Sequence, residues 1–324
     1  MYKKTATDWS SFFEVCKLSI HDFLLICRKT HIGALLLSFS TLRIIEILSR
    51  FVPMQGGGKD TEMIIDFHTH MFPDALAAKT IPYLAQKSGY INMTDGTLDG
   101  TIESMEQNGI DKSVVCNIAT NAHQTEKVNA FALEIDKNDR IISFGSVHPD
   151  CDYEYYLDIL KDNGIKGIKL HPDYQDFFID DAKMSKIYEA ILKRGFVLIF
   201  HTGVDDGFGE PVHASPERIK RVMPMFRGEK VVLAHMGGFK LWDKVCEFLA
   251  GEDVYLDTSC SAGFMTREMF EKMVLAHGVD KILFATDTPW TKPADGIEEI
   301  NALNISDAEK KNIFSGNAQR LLGL

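Results

Sequence analysis

The sequence predicts an α/β fold, a (β/α)8 TIM barrel, over residues 63–324, and three observations carry that prediction. Short runs rich in β-branched and aromatic residues recur eight times, each followed by a polar turn and a helical stretch. The runs are nearly continuous apolar segments with little alternation, as parallel strands covered on both faces require. Eight such units over about 260 residues is the count of a closed barrel.

The first strand is expected over Met63–His70, closing in His-Thr-His. Ser113–Ala119, Ile141–Pro149 and Ile165–Pro172 follow, then Phe196–Gly203, Val231–Gly238, Val254–Ser259 and Lys281–Pro289. Amphipathic segments lie between them, among them Met184–Arg194, Pro216–Phe226 and Thr266–His277. Ser215 before Pro216 reads as an N-cap with proline at the first helical position. Ser306-Asp-Ala-Glu309 reads as a capping box opening the last helical stretch. A doubly wound open sheet is the competing fold, but it calls for a glycine-rich phosphate turn after the first strand. His-Thr-His-Met-Phe-Pro stands there instead.

Residues 1–62 read differently. The apolar stretch 20–52 is broken by Asp22, Arg28, Lys29, Arg43 and Glu46, and its longest uncharged piece is too short to span a bilayer, which takes ~20 apolar residues. Its periodicity suits an amphipathic helix, which raises the expectation of a homodimer. The segment is expected to be a dispensable extension outside a catalytic domain at 63–324. A formal charge of -11 argues against nucleic acid as a partner, because binding a polyanion needs a phosphate-neutralising basic face. Six dispersed cysteines without a CxxC pair point to free thiols and a reducing, cytoplasmic setting.

Six of the 11 histidines fall at expected strand ends: His68, His70, His148, His171, His201 and His235. That end of a barrel forms the active-site face. One strand-end histidine is usually a hydrogen-bonded core residue, but six at one mouth are hard to explain as core filling, since each imidazole needs a partner. His68 and His70 lie on the same strand face, about 6–7 Å apart along the chain, close enough to grip one metal ion. His201 adds a third neutral ligand from strand five and Asp287 a carboxylate from strand eight. Three histidines and one aspartate leave a coordination position for water, so zinc is the expected ion, with manganese, iron and cobalt as alternatives. Asp287 could also accept a proton from that water, and His235 could donate a proton or stabilise developing charge. His171 and Lys169, two residues apart on strand four, are candidates for binding a small-molecule substrate or bridging a second ion. Trp290 is placed to stack on a cyclic substrate, and Gly203–Ala214 reads as a specificity loop.

These residues together resemble the amidohydrolase superfamily, and Thr286-Asp-Thr-Pro-Trp290 with Ser315-Gly-Asn-Ala-Gln-Arg-Leu-Leu322 resembles its amidohydrolase-related branch. That branch includes enzymes of the aminocarboxymuconate-semialdehyde decarboxylase type. The resemblance covers about residues 63–324. It implies a barrel of the metal-dependent hydrolase type, metal ligation by His68, His70, His201 and Asp287, and His235 as the acid/base or polarising residue. The branch contains hydrolases and non-oxidative decarboxylases. No basic residue near the mouth stands out as a carboxylate clamp, so hydrolysis of an amide, lactone or ester is ranked first. Decarboxylation of an unsaturated or aromatic carboxylate is the alternative.

Overall fold

The computed structural model describes residues 63–324; the expected N-terminal helix and its part in association lie outside them. All eight expected strands form, each shorter than its apolar run. They are β1 (Ile65–Thr69), β2 (Lys112–Cys116), β3 (Ile141–Phe144), β4 (Gly167–Leu170), β5 (Val197–Phe200), β6 (Val231–Leu233), β7 (Tyr255–Asp257) and β8 (Ile282–Leu283). Every pairing is parallel, in two arcs ordered β1-β2-β3 and β4-β5-β6-β7-β8. The arcs meet on both sides. Between β3 and β4, Gly145 pairs with Ile168, and Lys169 N donates to Gly145 O at 2.8 Å. Between β8 and β1, Phe67 N donates to Phe284 O at 2.8 Å, and Asp287 N donates to His68 O at 2.8 Å.

Alternation along the strands divides the core in two. Ile65, Phe67, Val114, Cys116, Val197 and Ile199 belong to one buried cluster, while Val115, Leu198, Phe200 and Leu233 pack into another with helical residues. The first set fills the barrel and the second seats the helices. Gly167 is required by that filling, because a Cβ there would lie 2.4 Å from the Phe144 ring.

The major helices are α1 (Asp74–Ser88), α2 (Leu98–Asn108), α3 (Thr125–Ile135), α4 (Tyr153–Asp162), α5 (Met184–Lys193), α6 (Pro216–Phe226), α7 (Trp242–Phe248) and α8 (Arg267–His277). After β8 come α9 (Pro293–Asn301), α10 (Asp307–Lys311) and α11 (Asn317–Leu322). The Ser306–Glu309 capping box forms with both reciprocal bonds. Ser215 does occupy the N-cap of α6, but its side chain makes no cap bond; it meets the Glu217 carboxylate instead. The four described cysteines are free. Among the described residues no helix is long and apolar enough to cross a membrane.

Glu299 on α9 accepts a hydrogen bond from Ser261 Oγ at 2.5 Å, and burial pushes its carboxyl up to about 7. A carboxyl whose folded pKa is raised contributes stability below its unfolded value, near 4.5, and that contribution is lost as pH rises through about 7. Glu299→Gln is therefore expected to raise the melting temperature at pH 8, by roughly 2–4 °C for a stabilisation on the order of 1 kcal/mol. The gain should fade toward pH 5. Equal melting shifts at both pH values in a thermal-denaturation series would contradict the assignment.

Candidate metal centre

The strands stop short because the backbone turns sharply where the site begins. His235, Cys260 and Asp287, just beyond β6, β7 and β8, have φ of 58°, 54° and 71°. These left-handed conformations cost non-glycine residues free energy and aim the side chains inward over the barrel mouth. The β5 and β6 loops meet tightly there, and a Cβ on Gly203 would lie 2.0 Å from Phe239 N.

Hydrogen bonds fix which nitrogen of each imidazole carries its proton. His70 Nδ1 lies 2.9 Å from Cys116 O, which can only accept, so the proton is on Nδ1 and the Nε2 lone pair is free. His68 Nδ1 donates in the same way to Asp257 Oδ2 at 2.9 Å. Asp257 anchors a second line of bonds as well. Ser259 Oγ donates to Asp257 Oδ1, so its oxygen accepts from His235 Nδ1 at 2.8 Å. His235 Nε2 then accepts from His201 Nδ1 at 3.0 Å. This leaves the His201 Nε2 lone pair buried and without a protein partner.

Three acceptors face one another at the mouth. His68 Nε2 and His70 Nε2 are 3.2 Å apart, and Asp287 Oδ1 lies 3.4 Å from the first and 3.1 Å from the second. Asp287 Oδ1 has no hydrogen-bond partner. Lys169 Nζ brings its charge to His68 Nε2 at 3.1 Å, but nothing partners Asp287 Oδ1, and lone pairs crowded in this way repel unless a cation lies among them. Bonds of 2.0–2.1 Å around a tetrahedral ion put its ligand atoms roughly 3.3 Å apart, so these donors fit a divalent metal. Burial, with the charge of Lys169, holds His68 down to about 3, and burial lowers His171, His201 and His235 too. These four imidazoles are therefore neutral, as ligands must be. The two cavity thiols, Cys116 and Cys260, are pushed up by burial and remain protonated, Cys116 to about 12.

The four residues expected to share one ion are thus brought to one cavity but in two groups. His68, His70 and Asp287 converge. His201 joins His171 and Asp205, whose candidate ligand atoms lie within 4.8 Å of one another, and the His171 and His201 rings stack at 4.1 Å. His171 differs from the rest: its Nδ1 accepts from Tyr174 N at 3.4 Å, so its proton sits on Nε2, 3.4 Å from Asp205 Oδ2. It is a donor toward the cavity, where His201 is an acceptor. Lys169 is buried with Nζ 3.1 Å from His68 Nε2. Trp290 lines the cavity, but Trp242 is drawn away by a bond from Nε1 to His235 O at 3.2 Å. His148 accepts from Asp150 N at 3.2 Å and does not line the cavity.

Sequence reasoning passed over Asp257, Ser259 and Asp66. Asp66 accepts from Thr286 N at 2.9 Å and from Thr286 Oγ1 at 2.6 Å, stitching β1 to the Asp287 turn. The signal was present: Asp66-x-His68-x-His70 and Asp257-x-Ser259 share the period of two that marked the histidine pair.

Comparison with known proteins follows the same outline. The amidohydrolase family model matches residues 65–324. A curated relative, gamma-resorcylate decarboxylase from Polaromonas sp. (strain JS666), is 29% identical over 116 residues, or 29% of this chain and 34% of that protein. The matched part thus spans about a third of that relative. The structure of a dihydroxybenzoic acid decarboxylase from Polaromonas sp. JS666, with bound manganese and 2-nitroresorcinol, superposes with a TM-score of 0.62. Its identity is 18%, with 81% of this chain and 97% of that one covered. A 5-carboxyvanillate decarboxylase from Sphingomonas paucimobilis gives a TM-score of 0.59 at 14% identity, covering 81% and 99%.

Proposed function

The chain belongs to the amidohydrolase family, and from that premise we propose that it is a divalent-metal-dependent decarboxylase of a hydroxylated aromatic acid. This reverses the order expected from sequence, in which hydrolysis stood first. The observation that carries the reading is the match to gamma-resorcylate decarboxylase, with similar folds among decarboxylases of hydroxylated benzoates in its support. The cavity agrees in character: the donors sit at the base of a largely apolar pocket of about 650 Å3, suited to a ring.

His68, His70, His201 and Asp287 are the residues proposed to hold the ion, which when bound supplies a Lewis-acid anchor for the substrate carboxylate and its neighbouring hydroxyl. Three imidazoles and a carboxylate suit zinc and manganese alike. Asp287 takes the proton of the ring hydroxyl and returns it to the carboxylated carbon. As that C–H bond forms, the C–C bond breaks with its electron pair left on the ring, carbon dioxide leaves neutral, and the hydroxyl regains a proton from solvent. His235 serves as the polarising residue, since both its nitrogens are committed and it fixes His201 with the Nε2 lone pair inward. His171 Nε2–H and Lys169 Nζ are the donors placed to orient the acid's oxygens, with Trp290 beside the ring.

The test is to load the purified full chain with manganese or zinc and offer 2,4- and 2,6-dihydroxybenzoate beside a panel of lactones. Carbon dioxide and resorcinol should form from the acids at least a thousandfold above the protein-free rate. Acid release from lactones with no carbon dioxide from any benzoate would overturn the proposal.

A further inference from the structure

The cavity is too large for the substrate its base is built to hold. A dihydroxybenzoate displaces on the order of 150 Å3, small beside the pockets of 300–1,000 Å3 that enclose larger ligands. The cavity is about 650 Å3. Much of the remaining wall is apolar. Helix α1 turns Leu76, Thr80 and Leu84 toward the cavity at a spacing of four, and α3 turns Val128 and Phe131 toward it at a spacing of three. Met71 and Phe72, directly after the His68–His70 strand, join these two faces to the metal donors.

Phe131 packs partly against the hydrophobic core, but Leu76, Leu84 and Val128 do not. Leu76 is 49% exposed, and Leu84, Val128 and Phe131 are half-buried. Apolar surface left open along a pocket costs free energy until a ligand covers it. Charged groups edge this wall: Lys87 on α1 and Lys127 on α3 also line the cavity, Lys87 Nζ stands 3.9 Å over the Phe208 ring, and Tyr90 OH and Lys240 Nζ meet Asp206. The pocket therefore has a polar base around the imidazoles and, on α1 and α3, a mainly apolar limb edged by Lys87 and Lys127.

We propose that the substrate is a hydroxybenzoic acid bearing an alkyl chain of several carbons, its carboxylated ring at the histidines and its chain in the limb formed by Leu76, Leu84, Val128 and Phe131. The inference rests on the decarboxylase reading for the ring end, while the limb itself is a binding property independent of turnover. Each methylene buried there should tighten binding about three- to fourfold until the limb is filled.

Two series measured on the manganese-loaded full chain separate these parts. Calorimetry with resorcinol and its 5-methyl, 5-propyl and 5-pentyl derivatives reads the limb alone, and kcat/KM for the matching 2,4-dihydroxy-6-alkylbenzoates reads limb and chemistry together. Affinity rising about three- to fourfold per methylene through pentyl, with kcat/KM in parallel, is the expected result. Leu76→Gln and Leu84→Gln should cut that gain to below twofold per methylene. Alkylresorcinols that bind with this slope while no acid loses carbon dioxide would uphold the limb and overturn the decarboxylase reading. Decarboxylation with a flat or falling chain-length series, or an unchanged slope in both variants, would overturn the limb.

Discussion

Asp287→Ala is expected to empty the proposed metal centre and stop turnover while the barrel stays folded. Its Oδ1 is one corner of the triangle completed by His68 Nε2 and His70 Nε2 at 3.4 and 3.1 Å. Without that negative corner three neutral nitrogens remain, one of them on His201 in the neighbouring group, and no ligand charge offsets that of the ion. The same carboxylate is the proposed proton carrier, so losing it removes both ion and proton transfer. Turnover should drop at least a thousandfold. Metal content after supplemented growth should fall below about a tenth of an equivalent, against roughly one in the parent. Circular dichroism should be unchanged, because the Asp287 side chain supports no strand; the β1–β8 seam is held by backbone bonds and by Asp66. A variant that keeps its ion and full activity would show the site to be misassigned.

The second large effect is expected at Asp257, which touches neither ion nor substrate. Its two oxygens serve both ligand groups, Oδ2 holding His68 directly and Oδ1 holding His201 through Ser259 and His235. Burial opposes this carboxylate, but the hydrogen bonds of His68 and Ser259 keep it below the usual range. Removing such an outer partner typically weakens metal affinity 10- to 100-fold. Asp257→Asn should exceed that range, because the amide cannot accept at both oxygens and leaves one line of bonds without its end. Ser259→Ala breaks only the His235 line and should cost about tenfold, with the His68 line intact. Competition against a fluorescent chelator measures both. Equal losses in the two variants would contradict a shared anchor.

How far the sequence carried differs between fold and site. The eight strands were legible because parallel strands buried on both faces are written as apolar runs, and each run holds a strand. Their C-terminal limits were not. At Ala234-His235 and Thr286-Asp287 the chain leaves the strand through left-handed φ, which a run of apolar letters does not announce. The His68–His70 pair was legible through its period of two. Asp257 was not, because an aspartate at the end of a strand reads as a turn until its partner, 189 residues away, is known. The roles of His171 and His201 were beyond reach for a related reason. Both are strand-end histidines, and only Tyr174 N behind one ring and His235 behind the other make the first a donor and the second an acceptor. The proposed reaction ranks otherwise than the sequence alone does, because the site's chemistry is compatible with both outcomes and the sequence shows no basic clamp to favour decarboxylation.

The seam between the last strand and the first has a consequence for how the protein is made. Asp66 and Thr286, which fasten that seam beside the metal donors, are 220 residues apart. A ribosome moving at about 5–20 residues per second separates their emergence by roughly 10–45 s. Throughout that interval the leading His68–His70 strand has no Asp287 beside it, and its two imidazoles can offer a passing ion only a weak grip. For the proposed metal centre, choice of ion would thus be deferred until synthesis of the barrel is nearly complete, which would protect the nascent chain from early capture by whichever cation is most abundant.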